Sequence, residues 1–194
     1  MTAEALWYQV VHSHHLASDT LLEQGDILRD CLRFGVEGLD RWPPPQDAEV
    51  DIATDLVQAV VLTQTCDLVQ KKVEWVLLAV VVPWPDARDA MVAQGNQAAK
   101  SSKFREALVQ GNLPALALLH RRADDPEMSW SVVDFHQLFV LPKSLVLNIA
   151  SANGARLRLT SPYKEHLSQA FARYFMRVGL PHDAKAFVKE GAES

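Results

Sequence analysis

Apolar side chains in this 194-residue chain come in short runs separated by abrupt polar stops. Gly25-Asp26 reads as a turn, and Ile27-Leu28 opens an extended segment over about 25–34. Asp55 to Leu68, rich in Val and Thr, reads as a second strand. VEWVLLAVVV, ended by Pro83-Trp84-Pro85, reads as a third over 73–83. Both are continuous apolar runs, the pattern of strands covered on two faces. Further extended segments are expected over 113–120, 130–141 and 145–159. In the last of these, Asn153-Gly154 is the pair favoured in two-residue hairpin turns. Leu157 and Leu159 alternate there with Arg156 and Arg158, which puts one face of the return strand in the core.

A helical period appears in three other places. Leu6, Trp7, Val10 and Val11 suggest a short N-terminal helix. Residues 86–111 are rich in Ala, Gln and Lys and read as helical, interrupted near Gly95-Asn96, an insertion between strands. Leu167, Ala170, Phe171, Tyr174, Phe175 and Val178 form the apolar stripe of a closing helix. Ser161 is its expected cap, Pro162 its first residue, and Gly179 with Pro181 its stop. WPPPQDAEVD reads as a loop, since prolines in series cannot donate backbone hydrogen bonds. The expected architecture is one α+β domain over 1–194. Its core is a small antiparallel barrel from about 21–83 and 112–180, with the helical insertion and a C-terminal amphipathic helix.

Composition narrows the setting. Hydrophobic content of 48% with 22% charged residues is ordinary for a globular chain. The longest apolar run, Val76 to Val82, is far too short to span a bilayer, so no membrane partner is expected. The first residues lack a basic start followed by an apolar stretch, and two cysteines make no disulfide framework. A cytoplasmic location is the expectation. The net charge of −5 is uneven: residues 1–60 hold eleven acidic and three basic side chains, the remainder thirteen and sixteen. That basic field is too weak for a tight, sequence-independent grip on nucleic acid. The plain reading is an unevenly charged wet surface; the sharper one is a pair of self-complementary surfaces.

The polar tip of the second strand, Thr63-Gln64-Thr65-Cys66-Asp67, is the main local candidate. Strand alternation would send Thr63, Thr65 and Asp67 one way and Gln64 and Cys66 the other. A cap and a packed thiol explain these residues structurally; a binding edge explains them functionally. Cys66 as a nucleophile needs a histidine and an orienting acid, and His136 with Asp134, two residues earlier on the same face, is the conceivable set. His120-Arg121-Arg122 with Lys100, Lys103 and Arg105 could line a basic rim beside Trp84 or Trp130. His12, His14, His15, Cys31 and Cys66 lack zinc-site spacing, so no metal and no cofactor is expected.

Four short pieces carry a resemblance. They are Gly25-Asp26-Ile27-Leu28, Val60-Val61-Leu62-Thr63, Val80-Val81-Val82-Pro83 and Asp134-Phe135-His136-Gln137 through Leu141-Pro142-Lys143. With the helix Pro162 to Val178, their order resembles the PemK/MazF-like toxin family, which has an SH3-like barrel. The resemblance implies a stress or defence context, as toxin or regulator. Members of that family are typically endoribonucleases selective for single strands, with an Arg near the second strand and a Thr or Ser after the third. This chain departs at both places: Asp55 to Ala59 contains no Arg, and Pro83-Trp84-Pro85 no hydroxyl. The leading expectation is therefore a binding module for a protein partner or a second copy, with Thr63, Gln64, Thr65, Asp67 and Asp134 as contacts. The alternative is a divergent endoribonuclease acting on RNA through His120, Arg121 and His136, and the third is hydrolysis through Cys66.

Overall fold

A computed structural model describes residues 7–13, 22–37, 51–70 and 72–176. The expectations for His14, His15, the proline loop at 42–50, Val178, Gly179 and Pro181 lie outside these residues. Among the described residues seven strands are present: β1 (Tyr8–His12), β2 (Asp26–Glu37), β3 (Asp51–Val61), β4 (Trp75–Pro83), β5 (Leu116–Leu119), β6 (Ser131–Pro142) and β7 (Ala155–Leu159). They pair antiparallel in the order β1-β7-β2-β3-β4-β6-β5. The helices are α1 (Thr65–Val69), α2 (Trp84–Ala93), α3 (Ser102–Val109), α4 (Lys143–Ala152) and α5 (Tyr163–Phe175), with a 3-10 turn at Gln97–Lys100.

The α+β class holds, but the ladder does not close into a barrel. The two edge strands meet through side chains instead. The Tyr8 hydroxyl donates to the His120 carbonyl at 2.7 Å, and the Trp7 and His120 rings lie 5.7 Å apart. These contacts bring β1 close to the end of β5, with no backbone bond between the two strands among the described residues. Burial of the Tyr8 phenol raises its pKa, which keeps it a donor.

Both faces are covered, as the continuous apolar runs require. Ile27, Val60, Phe135, Leu157 and Leu159 line one face, and α5 closes it with Leu167 and Phe171. Leu28, Cys31, Val61, Leu78 and Leu141 line the other, beneath Leu68 of α1 and Val146 and Ala150 of α4. Full burial of a side chain such as Leu28 or Leu141 is worth about 1.5–3 kcal/mol. These two layers hold the fold.

Several local expectations are corrected. Residues 8–12 form a strand, not a helix: Tyr8 and Val10 lie opposite Leu159 and Leu157 and share their face. The second strand stops at Val61, and Thr65 begins a helical turn. The 145–159 segment is not a hairpin. Lys143–Ala152 is helical, with Val146 and Ala150 buried one turn apart, and Asn153-Gly154 ends that helix. Gly154 takes φ +68, the left-handed conformation common just past a helix end, before β7 starts. A short apolar run fits strand or helix equally, and tertiary packing chose helix here. The closing helix starts at Tyr163 with Pro162, not Ser161, in the capping position. The insertion is helical, interrupted at Gly95 (φ +94) as expected.

Candidate functional site

β2 and β3 are long, and only their inner halves belong to the sheet. β7 pairs with β2 at Asp26 and Ile27, and β4 pairs with β3 at Ala59 to Val61. From Cys31 to Glu37 and from Asp51 to Val57, among the described residues, the two strands pair with each other alone. They form a two-stranded arm. Opposite residues of an antiparallel pair share a face, so Leu32 with Leu56, Phe34 with Thr54, and Val36 with Ile52 stand on one side. Phe34 is 53% exposed, Val36 62%, Ile52 66% and Leu56 65%. A ribbon of two strands is marginal in water, and this one turns an uncharged apolar face outward.

The opposite face is polar and ties the arm to β6. Arg33 lies opposite Asp55 and grips its carboxylate with two bonds, Nε to Oδ1 at 3.0 Å and Nη2 to Oδ2 at 2.6 Å. Its remaining Nη1 donates to Gln137 Oε1 at 2.6 Å. Gln137 Nε2 donates to Asp134 Oδ2 at 2.8 Å, and His136 donates its backbone N–H to Asp134 Oδ1 at 3.0 Å. The His136 ring Nδ1 is 3.1 Å from the same oxygen. A proton on Nδ1 satisfies that contact and leaves Nε2 outward as an acceptor. The chain Asp55–Arg33–Gln137–Asp134–His136 exists because the β4–β6 register breaks between Ala79 and Val80, which bulges residues 135–137 out of the ladder. The hydrogen bonds and charge of Arg33 hold the Asp55 carboxyl below its ordinary range.

His136 sits between two clefts. One, about 520 Å³, runs along the arm between Arg33, Asp55 and Gln137. The other, about 470 Å³, is walled by Met91, Phe104, Leu113 and Leu116, with Gln94 and Asn96 at its rim.

A second charged group lies at the root of β2 and is buried. The Asp26 side chain is 0% exposed, and those of Arg156 and Arg158 are 1% and 6%. Asp26 Oδ2 accepts from Arg156 Nε at 3.0 Å, Arg158 Nη2 at 2.9 Å and the Glu23 N–H at 3.1 Å. Arg158 also bonds Asp26 through Nε and reaches Glu23 through Nη1. Arg156 Nη1 donates to Ser13 Oγ at 3.0 Å. Burial opposes the Arg158 charge, yet the bonds and charges of Asp26 and Glu23 outweigh it, and its pKa is raised. The β7 face opposite Leu157 and Leu159 is therefore a buried ion cluster.

The structure scatters the residues singled out from sequence. Thr63 Oγ1 accepts from the Leu77 N–H at 2.8 Å, and Thr65 Oγ1 from the Gln24 N–H at 3.2 Å. These hydroxyls secure the turn after β3. Gln64 and Cys66 are exposed, and Cys66 Sγ lies 3.6 Å from Gln64 Oε1 and 3.9 Å from Asp67. Asp134 and His136 do come together. Cys66 does not join them: its helix packs through Leu68 on one sheet face, while His136 meets Tyr174 of α5 on the other, 5.7 Å between rings. His120 packs on Trp130 at 4.2 Å, at the start of β6. His136 lies six residues further along, roughly 15–20 Å away. Arg121 follows His120, so the ribonuclease trio does not share a site. Within the expected basic rim, Arg122 exchanges backbone bonds with Met128 and meets Asp124 at 3.6 Å.

Arg33, Asp55, Gln137 and the Asp26 cluster went unnoticed in the sequence. Only the hairpin register brings Arg33 opposite Asp55, and the sole linear hint was an ion pair's worth of charge within a β-rich stretch. Among the described residues no helix is long and apolar enough to cross a membrane, and no three His, Cys, Asp or Glu side chains gather as metal ligands. No family model and no curated protein matches this chain.

Proposed function

We propose that this chain is a protein-binding module whose contact surface is the apolar face of the β2–β3 arm, and that the occupant of that face is a second copy of the chain. One observation carries the reading: four large apolar side chains, each more than half exposed, stand together on an isolated ribbon. Those fractions leave on the order of 400–500 Å² of apolar surface open, comparable to the largest patch on a typical monomer, which is often functional. Doubled across a two-fold axis, with Leu32, Thr54 and backbone added, the buried area reaches about the 1,000 Å² of a specific interface. The face carries no charge, so it meets itself without repulsion. Behind it, Arg33 fixes the arm to the β6 bulge and limits the ordering cost of docking.

The polar chain supports this role better than RNA cleavage. The guanidinium of Arg33 is spent on Asp55 and Gln137, and the two carboxylates beside it repel phosphate. The stress or defence setting, as toxin or regulator, comes to this reading through the PemK/MazF-like resemblance alone. Size-exclusion with light scattering over a concentration series tests it. The expected mass is twice 21.6 kDa, falling to 21.6 kDa when Phe34→Glu and Leu56→Glu are combined. A wild-type monomer at every concentration would end the proposal.

A further inference from the structure

The cleft between the inserted helices and β6 has features the arm does not use. Its floor is apolar, from Met91, Phe104, Leu113 and Leu116, and its volume of about 470 Å³ suits a small organic molecule. The Phe104 ring is already stacked on Trp84, 6.2 Å between centroids at 26°, which fixes its plane. Gly95, at φ +94, makes the turn that carries Gln94 and Asn96 to the rim on either side of it. Among the described residues, neither side-chain amide is held by an internal hydrogen bond. Each offers a donor and an acceptor side by side. Across the cleft stand Asp134 and the exposed His136. Among the described residues, no Lys or Arg lines the space.

We infer that this cleft binds an uncharged nucleoside. Its base lies against Phe104, its edge pairs with the amides of Gln94 and Asn96, and its sugar faces His136. A flat ring with a donor and acceptor on one edge matches a flat aromatic floor beside two open amides. The lining favours a neutral ligand: a phosphate would meet the Asp134 carboxylate, and among the described lining residues no Lys or Arg offsets it. This site is independent of the arm's apolar face, which lies on the other side of the Arg33–Asp55 pair.

Isothermal titration of the full chain with adenosine, guanosine, cytidine and uridine, each beside its 5′-monophosphate, tests the assignment. At least one nucleoside binds with sub-millimolar Kd, and its monophosphate binds at least tenfold more weakly. Phe104→Ala weakens binding about tenfold or more, the loss typical of a removed stacking partner. Gln94→Ala with Asn96→Ala, at exposed positions that leave folding intact, has a similar effect and changes which base is preferred. Phe34→Glu leaves the affinity unchanged, which separates this site from dimerisation. Absence of binding for all four at millimolar concentration overturns the assignment. So does a monophosphate that binds as tightly as its nucleoside, or a folded Gln94→Ala/Asn96→Ala protein with unaltered affinity.

Discussion

The two ends of β2 use the same chemistry in opposite surroundings. At its root, Asp26 lies under Arg156 and Arg158 with no exposed surface; at its tip, Arg33 holds Asp55 with both side chains partly in water. Both contacts pair a guanidinium with a carboxylate. In the interior, each charge has given up hydration, and only complete pairing with further hydrogen bonds keeps the cluster tolerable. At the surface, water and salt screen the pair, and its worth lies in geometry rather than stability. The root fixes three strands to one another, since β1, β7 and β2 all meet there; the tip orients an arm in which, among the described residues, β2 and β3 pair with each other alone. One pair is architectural and the other positions a surface.

The sharpest way to break this contrast is at the root. Asp26→Ala removes the carboxylate shared by two buried arginines, and removal of one partner from a buried ion pair typically costs about 3–5 kcal/mol. Urea unfolding should show an unfolding free energy lower by that amount, with an earlier midpoint, or loss of the cooperative transition. Second in size, Phe34→Glu with Leu56→Glu should abolish self-association while leaving the monomer's thermal transition close to wild type, because both side chains are already more than half exposed.

Cys31, between the two ends, reports which of them has opened. It is fully buried, and burial pushes its thiol up to about 12, whereas Cys66 is exposed. Alkylation followed by mass spectrometry should modify Cys66 within minutes and Cys31 only on unfolding, with Asp26→Ala speeding the second reaction and Arg33→Ala barely altering it. The smallest effect concerns acid. The Asp55 carboxyl is held below its ordinary 3.8, so its contribution is complete above that value and fades as pH falls through the depressed one. The protection factors of amides in residues 31–37, taken relative to the intrinsic exchange rate at each pH, should fall below about pH 4, and the Arg33→Ala protein should show no such step.

How much of this was legible in the sequence follows physical lines. Long, strongly apolar strands such as Val76 to Val82 were readable because burial on both faces leaves a continuous run. The closing helix was readable from its stripe. Leu145 to Ala150 was not, since its few apolar residues fit either period until packing against β2 and β6 decided the matter. Arg156 and Arg158 misled for a different reason: alternation assigns polar residues to water, and only strand order reveals Asp26 as their partner. The Asp134–His136 pair was visible because it is local, two residues apart on one strand. The arm was invisible because its exposed apolar face reads, residue by residue, as core.

The most direct measurement places a cysteine at Thr54, in the middle of the arm's apolar face, in a protein whose Cys66 is replaced by Ser. If two copies meet through this face across a two-fold axis, Thr54→Cys should form a disulfide-linked dimer rapidly under mild oxidation, while a control cysteine at exposed Gln110 should not. Equal, slow linkage at both positions would contradict the docking of a second copy on the arm.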